Sequence, residues 1–264
     1  CKMDFSSVDY DPKQLFDLTG KTAFVTGASG GLGYRFAWAL AKAGARVIAT
    51  ARSTDKLIGL AEEIDKFQGQ CVVETLDMRD RKAIRDCVDK CEQDMPIDVV
   101  VNNAGIAIVK SPDRYQDDDW DAVYETNLRG PWTLTQAVIT KRLKDKRECS
   151  IINIASVLGI RPLGHIPPYA AAKAGLINLG RDLCVDLASK NIRINALAPG
   201  YYETEMNREW LKTDAGERLK SRIPAGRFGQ PYDLDGAILF LASSASRFMN
   251  GNVLTVDGGH SAGL

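Results

Sequence analysis

Tyr169 and Lys173 stand four residues apart in the run Tyr-Ala-Ala-Ala-Lys, and Ser156 lies thirteen residues before the tyrosine. On a helix this spacing puts the phenol and the ammonium on one face. An ammonium beside a phenol favours phenolate and draws its pKa down from about 10 toward neutrality. Tyr169 would then serve as proton donor and acceptor at neutral pH, with Ser156 hydrogen-bonding the same reacting oxygen. By itself the pair is equally an ordinary feature of a helix face, so its meaning depends on what else the chain supplies.

A second constellation is the run Thr26-Gly-Ala-Ser-Gly-Gly-Leu-Gly33, which directly follows the apolar stretch Thr22-Ala-Phe-Val25. A strand that turns into a helix through small residues lets backbone N–H groups approach a pyrophosphate. Gly27 can make the tight turn, while Gly31 and Gly33 permit close approach of phosphate and helix. The spacing departs from G-x-G-x-x-G, and a ligand-free glycine turn is the competing reading. At the end of the next apolar stretch, Val47-Ile-Ala-Thr-Ala-Arg52, Ala51 occupies the place of the carboxylate that usually holds a ribose 2′-hydroxyl. Arg52 follows, and a guanidinium suits a 2′-phosphate, so NADP(H) is favoured over NAD(H). A second basic residue in the loop would add to this preference, but Gly30 stands there. A solvated Arg52 is the alternative.

These residues need a scaffold. Apolar strands are expected at 22–26, 46–50, 71–76, 97–101, 150–155, 192–197 and 253–256. Amphipathic helices are expected near 32–43, 54–68, 80–93, 117–143, 167–189 and 231–243. The alternation predicts an α/β fold: a single-domain, Rossmann-type doubly wound parallel sheet with ligands at the carboxyl ends of its strands. Residues 1–17 lack sustained periodicity and read as an N-terminal extension to a domain covering 18–264. The irregular stretch 200–228 reads as an insertion above the sheet.

Composition sets the outer bounds. The 264 residues are 45% hydrophobic, with 34 basic and 34 acidic side chains, so no net field attracts nucleic acid or an anionic membrane. No apolar run has the length of a membrane span and nothing resembles a secretory signal, which favours a cytoplasmic protein. The six cysteines (1, 71, 87, 91, 149 and 184) lack metal-ligand spacing, and His165 and His260 are the only histidines. No metal site is expected, and the thiols read as structural.

The ordered pattern from Leu18 to Gly259 resembles the short-chain dehydrogenase/reductase family. It comprises the glycine loop, Asp77, Asn102-Asn-Ala-Gly105, Asn127, Ser156, Tyr169 with Lys173, Pro199-Gly200 and Val256-Asp-Gly-Gly259. The resemblance implies seven parallel strands and a homo-oligomer, a dimer or tetramer. It assigns catalysis to Asn127, Ser156, Tyr169 and Lys173, with Asn127 anchoring a water that relays protons to Lys173. Lys173 would hold the nicotinamide ribose as well as depress the tyrosine pKa. Gly27, Ser29, Gly31, Leu32 and Gly33 would cradle the dinucleotide. Asp77 and the Met78 backbone would meet its adenine, and Asn103, Ala104 and Gly105 would line it. Pro199, Gly200 and Thr204 would bracket the nicotinamide carboxamide. For Asn103 and Asp257 a purely structural role competes.

The implied reaction interconverts a ketone and a secondary alcohol, with a small molecule as partner. Val157, Leu158, Arg161, His165, Tyr201, Tyr202 and Met206 are the principal pocket residues, joined by Ile106, Ile108, Leu163 and Trp210. Arg161 could grip a carboxylate or face solvent, and the helix after Tyr202-Glu203-Thr204 resembles a substrate lid. A sugar acid or polyol competes with a 3-oxoacyl thioester and a cyclic or steroidal ketone; the run Arg-Pro-Leu-Gly-His-Ile-Pro-Pro from 161 leans toward the first. A reading from another class is a non-catalytic nucleotide-binding scaffold.

Overall fold

Short runs rich in Val, Ile and Ala form the strands of the computed structural model, which describes residues 11–162, 164–205 and 207–263. In chain order the elements are β1 (Thr22–Thr26), α1 (Gly31–Lys42), β2 (Arg46–Ala51), α2 (Thr54–Asp65), β3 (Gln70–Thr75), α3 (Arg81–Asp94) and β4 (Val99–Asn102). They continue as α4 (Asp117–Tyr124), α5 (Gly130–Asp145), β5 (Cys149–Ile154), α6 (Pro167–Leu187), β6 (Ile192–Pro199), α7 (Arg208–Leu211), α8 (Asp214–Lys220), α9 (Asp235–Ala242) and β7 (Val253–Val256). The strands form one seven-stranded sheet ordered β3-β2-β1-β4-β5-β6-β7, and all six pairings are parallel.

Because side chains alternate along a strand, each strand feeds two cores. Ala23 and Val25 join Phe36, Leu40, Leu57, Leu60, Ile64, Ile238 and Leu241, which come from α1, α2 and α9. Phe24, between them, joins Ile84, Val88, Leu134, Val138 and Leu187, from α3, α5 and α6. Each Leu or Ile so buried contributes about 1.5–3 kcal/mol. The fold class is therefore the expected single-domain, doubly wound α/β sheet. Its strand order reverses between β1 and β4, which opens a crevice at their carboxyl ends. Cys149 is wholly enclosed, and burial pushes its thiol up to about 12, well clear of reactivity.

Three expectations about elements change. The single helix expected over 117–143 runs as α4, a wider π-helical turn at Glu125–Arg129, and α5. Asn127 in that turn bonds outside the helix, and Pro131 starts α5 without needing an N–H. The helix expected at 231–243 begins as a 3-10 turn, Pro231–Leu234, before α9. The irregular 200–228 stretch contains α7 and α8. At the N-terminus, Pro12–Phe16 forms a 3-10 turn, and the Leu15 carbonyl accepts from the Ser244 hydroxyl at 3.2 Å. Residues 1–10, Leu163, Met206 and Leu264 lie outside the described residues, so the pocket roles expected of Leu163 and Met206 have no structural counterpart here.

Candidate active site

The glycine loop leaves β1 and enters α1. Gly27 and Gly31 have φ of +67° and +56°, values a side chain would resist. A Cβ on Gly33 would come within 2.2 Å of the Gly27 carbonyl oxygen, so the loop closes on its own backbone only with glycine there. Thr26 organises this turn: its hydroxyl accepts from the Asn103 and Ala104 N–H groups, each at 3.0 Å, and donates to Val101 O at 3.2 Å. The Asn103 amide donates to the Thr26 and Gly27 carbonyls, so its side chain ties the end of β4 to the loop. Thr26 was missed as a site residue. Its sequence signals were its place at the head of the glycine run and a β-branched hydroxyl at the end of a buried strand.

The loop suits an anion. Gly30, the residue that caps α1, offers no side chain to the helix's first N–H groups, and a Cβ there would meet nothing within 4 Å. The positive end of α1 is thus left to a ligand phosphate. Thr204 leans over the same loop, its methyl 3.6 Å from where a Gly31 Cβ would be. Gly200 lies against Asp257, whose Cβ is 2.6 Å from a hypothetical Gly200 Cβ. The Asp257 carboxylate meanwhile accepts from the Gly259 and Ser261 N–H groups, a structural assignment. At the outer end of the crevice Arg52 is exposed and makes no side-chain hydrogen bond among the described residues, while Asp77 pairs with Arg79 at 2.9 Å. The hydrogen bond from Arg79 and the nearby Arg52 charge hold the Asp77 carboxyl below its usual range. Met78 is buried, and its carbonyl oxygen and Cβ both lie against Gly130 at the start of α5.

Ser156 ends the segment after β5, and Tyr169 and Lys173 lie on α6, one turn apart. Lys173 is 3% exposed, and its Nζ donates to the Ile154 carbonyl at 2.7 Å. The Asn127 amide spends both its atoms on the Ile106 backbone, each at 2.8 Å, and this places it beside Gly105. A Cβ on Gly105 would lie 3.3 Å from Asn127 Oδ1 and 3.5 Å from Lys173 Nζ, so Gly105, Asn127 and Lys173 share one small space.

The electrostatics differ from the expectation for the pair. Lys173 Nζ sits 5.6 Å from the Tyr169 ring centre and is engaged with Ile154, not with the phenol. Burial pushes the Tyr169 phenol above its usual value, with the Ser156 hydroxyl opposing through a hydrogen bond, and the same burial draws Lys173 down to about 8. Desolvation, not the ammonium, dominates this tyrosine.

Among the pocket residues, Val157 is buried and Leu158 half-buried, with the Leu158 N–H donating to Ser156 Oγ at 3.1 Å. Arg161 and His165 are exposed. The His165 carbonyl, though, accepts from Lys110 N and from the Tyr115 hydroxyl, both at 3.1 Å, which joins the loops after β4 and β5. Tyr202 is a correction. It is 6% exposed, belongs to the main core and donates its hydroxyl to Val256 O at 2.9 Å, so it supports the pocket from behind and offers it nothing. Tyr201 is half-buried, and its enclosed hydroxyl has no partner among the described residues. Ile106 and Ile108 are half-buried and Trp210 is exposed, and Tyr115 ties down the loop that carries the two isoleucines by donating to the Ile108 carbonyl. A groove of about 710 Å³ between Trp120, Tyr124, Trp132 and Leu179 shares no lining residue with this site.

A Rossmann-type sheet with a glycine loop and a Ser, Tyr, Lys and Asn cluster at its carboxyl edge defines a class of nicotinamide-dependent oxidoreductase. Residues 21–215 match the short chain dehydrogenase family, and the chain belongs to it. It is 42% identical over 243 residues to a 3-oxoacyl-acyl-carrier-protein reductase of Thermotoga maritima, covering 92% of this chain and 98% of that one. It is 36% identical to the 5-keto-D-gluconate 5-reductase of Escherichia coli K12, covering 93% and 97% of the two chains. A crystal structure of a gluconate 5-dehydrogenase from Burkholderia cenocepacia, in complex with NADP and tartrate, superposes with a TM-score of 0.90 at 38% identity. That match covers 95% of this chain and 99% of the other.

Proposed function

We propose that this protein is an NADP(H)-dependent oxidoreductase that interconverts a ketone and a secondary alcohol, with a sugar acid as substrate. The observation that carries the reading is the convergence of Ser156, Tyr169, Lys173 and Asn127 beside a glycine loop whose helix N-terminus has no internal cap. The cradle fits a dinucleotide: Gly27, Ser29, Gly31, Leu32 and Gly33 would hold its pyrophosphate and Arg52 its 2′-phosphate. Asp77, Met78, Ala104, Gly105, Pro199, Gly200 and Thr204 would line the remainder. When bound, the nicotinamide supplies the hydride.

The residues of the chain do the rest. The raised pKa of Tyr169 keeps its phenol protonated at neutral pH, ready to donate to the carbonyl oxygen as C=O becomes CH–OH. Ser156 orients that oxygen from the other side. Lys173, with a pKa of about 8, can return a proton toward Tyr169 through the space it shares with Asn127. In the reverse direction Tyr169 must first lose its proton, so oxidation requires a higher pH. The segment 200–228 acts as the lid, and residues before Leu18 as an extension outside the catalytic domain. No helix among the described residues is long and apolar enough to cross a membrane. A cytoplasmic location and assembly as a homo-oligomer belong to the same proposal.

Reduction of a 3-oxoacyl thioester is the second reading, favoured by the 42% identity to the Thermotoga maritima enzyme. A panel of ketones and alcohols, followed by NADPH absorbance with NADH in parallel, tests both. Consumption of NADPH with 5-keto-D-gluconate is the expected result. Turnover of an acetoacetyl thioester alone selects the second reading, and no turnover of any carbonyl rejects the enzyme.

A further inference from the structure

The Tyr201 hydroxyl is enclosed by protein yet meets no donor or acceptor among the described residues. A phenol in that position has lost water without gaining a partner, an arrangement that proteins seldom keep without a use. The backbone around it is pinned. The Gly200 N–H donates to Val256 O at 3.0 Å, and the Tyr201 carbonyl accepts from Gly229 N at 2.9 Å. The ring is braced too. His260 meets it edge-on, with centres 5.4 Å apart and planes at 89°. His260 is itself anchored by Nδ1 donating to the Arg222 carbonyl at 3.3 Å and by its N–H donating to Asp257 O at 3.3 Å. The adjacent Tyr202 offers a contrast, since its hydroxyl is already spent on Val256 O. Tyr201 is a near neighbour of Tyr169, and burial raises its phenol above the usual value. The Tyr201 phenol therefore stays protonated at neutral pH and is a donor.

We infer that the Tyr201 hydroxyl is a substrate-contacting group that bonds a hydroxyl near the reacting carbon, and so selects polyhydroxylated ketones over ketones with apolar flanks. His260 is the positioning residue that holds its ring. This inference rests on the ketone–alcohol reading above and specifies the substrate class for the same site. A substrate hydroxyl can both accept from the phenol and donate onward, which satisfies the orphaned group; an alkyl chain would leave it unpaired.

The test is Tyr201→Phe in the full chain, which removes one oxygen and keeps the ring. Reduction of 5-keto-D-gluconate and of cyclohexanone is measured with NADPH, and D-gluconate binding to the NADPH-loaded protein is measured by calorimetry. The expected result is a KM for 5-keto-D-gluconate raised about fivefold to tenfold and D-gluconate affinity lowered by a similar factor. Cyclohexanone kinetics and NADPH affinity stay unchanged. His260→Ala should raise the same KM with kcat preserved, and His260→Phe, which restores an edge-on ring, should recover it. Equal losses on both ketones, a loss of NADPH affinity, or unchanged D-gluconate binding would overturn the inference. If the parent protein reduces no ketone, the ketone–alcohol reading fails on its own, and the two binding isotherms still decide Tyr201: absent or equal binding in parent and variant rejects it.

Discussion

The two ends of the sheet treat buried charge in opposite ways. At the amino end the buried charges Arg142 and Asp98 each face a counter-charge. Arg142, fully enclosed, pairs with Glu92, which also accepts from Ile97 N. Asp98 accepts from Thr22 N and from Arg147, each at 2.9 Å, and Lys21 reaches Glu148. At the carboxyl end Lys173 is as deeply buried as Arg142 and Asp98, but its partner is a neutral carbonyl. Beside it lie an uncapped helix N-terminus and an orphaned phenol. Charge pairs staple the bottom of the sheet, even though Arg142 keeps Nε and Nη1 without a partner among the described residues, whereas at the top the buried ammonium has no counter-charge at all. Burial alone therefore does not mark a functional residue; a missing counter-charge does.

The largest expected effect that would sharpen this contrast is Lys173→Met. Turnover should fall by about a hundredfold to ten-thousandfold, while thermal unfolding should occur at the same or a higher temperature because an isolated buried amine is gone. A melting temperature lowered by many degrees would place Lys173 among the staples. The reciprocal change is Arg142→Met, which strands the Glu92 carboxylate and should cost about 3–5 kcal/mol in chemical denaturation, with kcat of the folded fraction retained. Adding Glu92→Met should restore much of that stability. Arg52→Ala comes next: NADPH affinity should drop about tenfold to a hundredfold, with NADH affinity little changed, in a fluorescence titration of both. Equal losses would remove Arg52 from the 2′-phosphate.

The smallest effect is in the pH dependence, and its sign follows from the raised pKa of Tyr169. Below that value the phenol is protonated, so ketone reduction should persist across the neutral range. Alcohol oxidation should climb by about tenfold per pH unit into the alkaline range while phenolate is scarce. A flat oxidation profile, with chemistry limiting the rate, would contradict this.

Much of the architecture was readable because it depends on local pattern. The five residues of β1 and the four of β7 fall where apolar, β-branched runs place them, since a parallel strand buried on both faces has few other ways to be written. The glycine loop was readable for the same reason: Gly27 and Gly31 adopt backbone angles that glycine alone takes easily. What depends on distant partners was not readable. The break of the 117–143 helix at Asn127 comes from a bond to Ile106, twenty-one residues away, and the withdrawal of Tyr202 into the core from a bond to Val256. The tyrosine pKa was misjudged because four-residue spacing reports a shared helix face but not that Lys173 turns to Ile154.

The most direct test of the central claim is Tyr169→Phe, assayed for turnover of 5-keto-D-gluconate alongside NADPH binding and thermal unfolding on the same preparation. The account predicts turnover reduced by about a hundredfold to ten-thousandfold with NADPH affinity and melting temperature nearly unchanged. Turnover within a few-fold of the parent, on a protein that still binds NADPH, would contradict it.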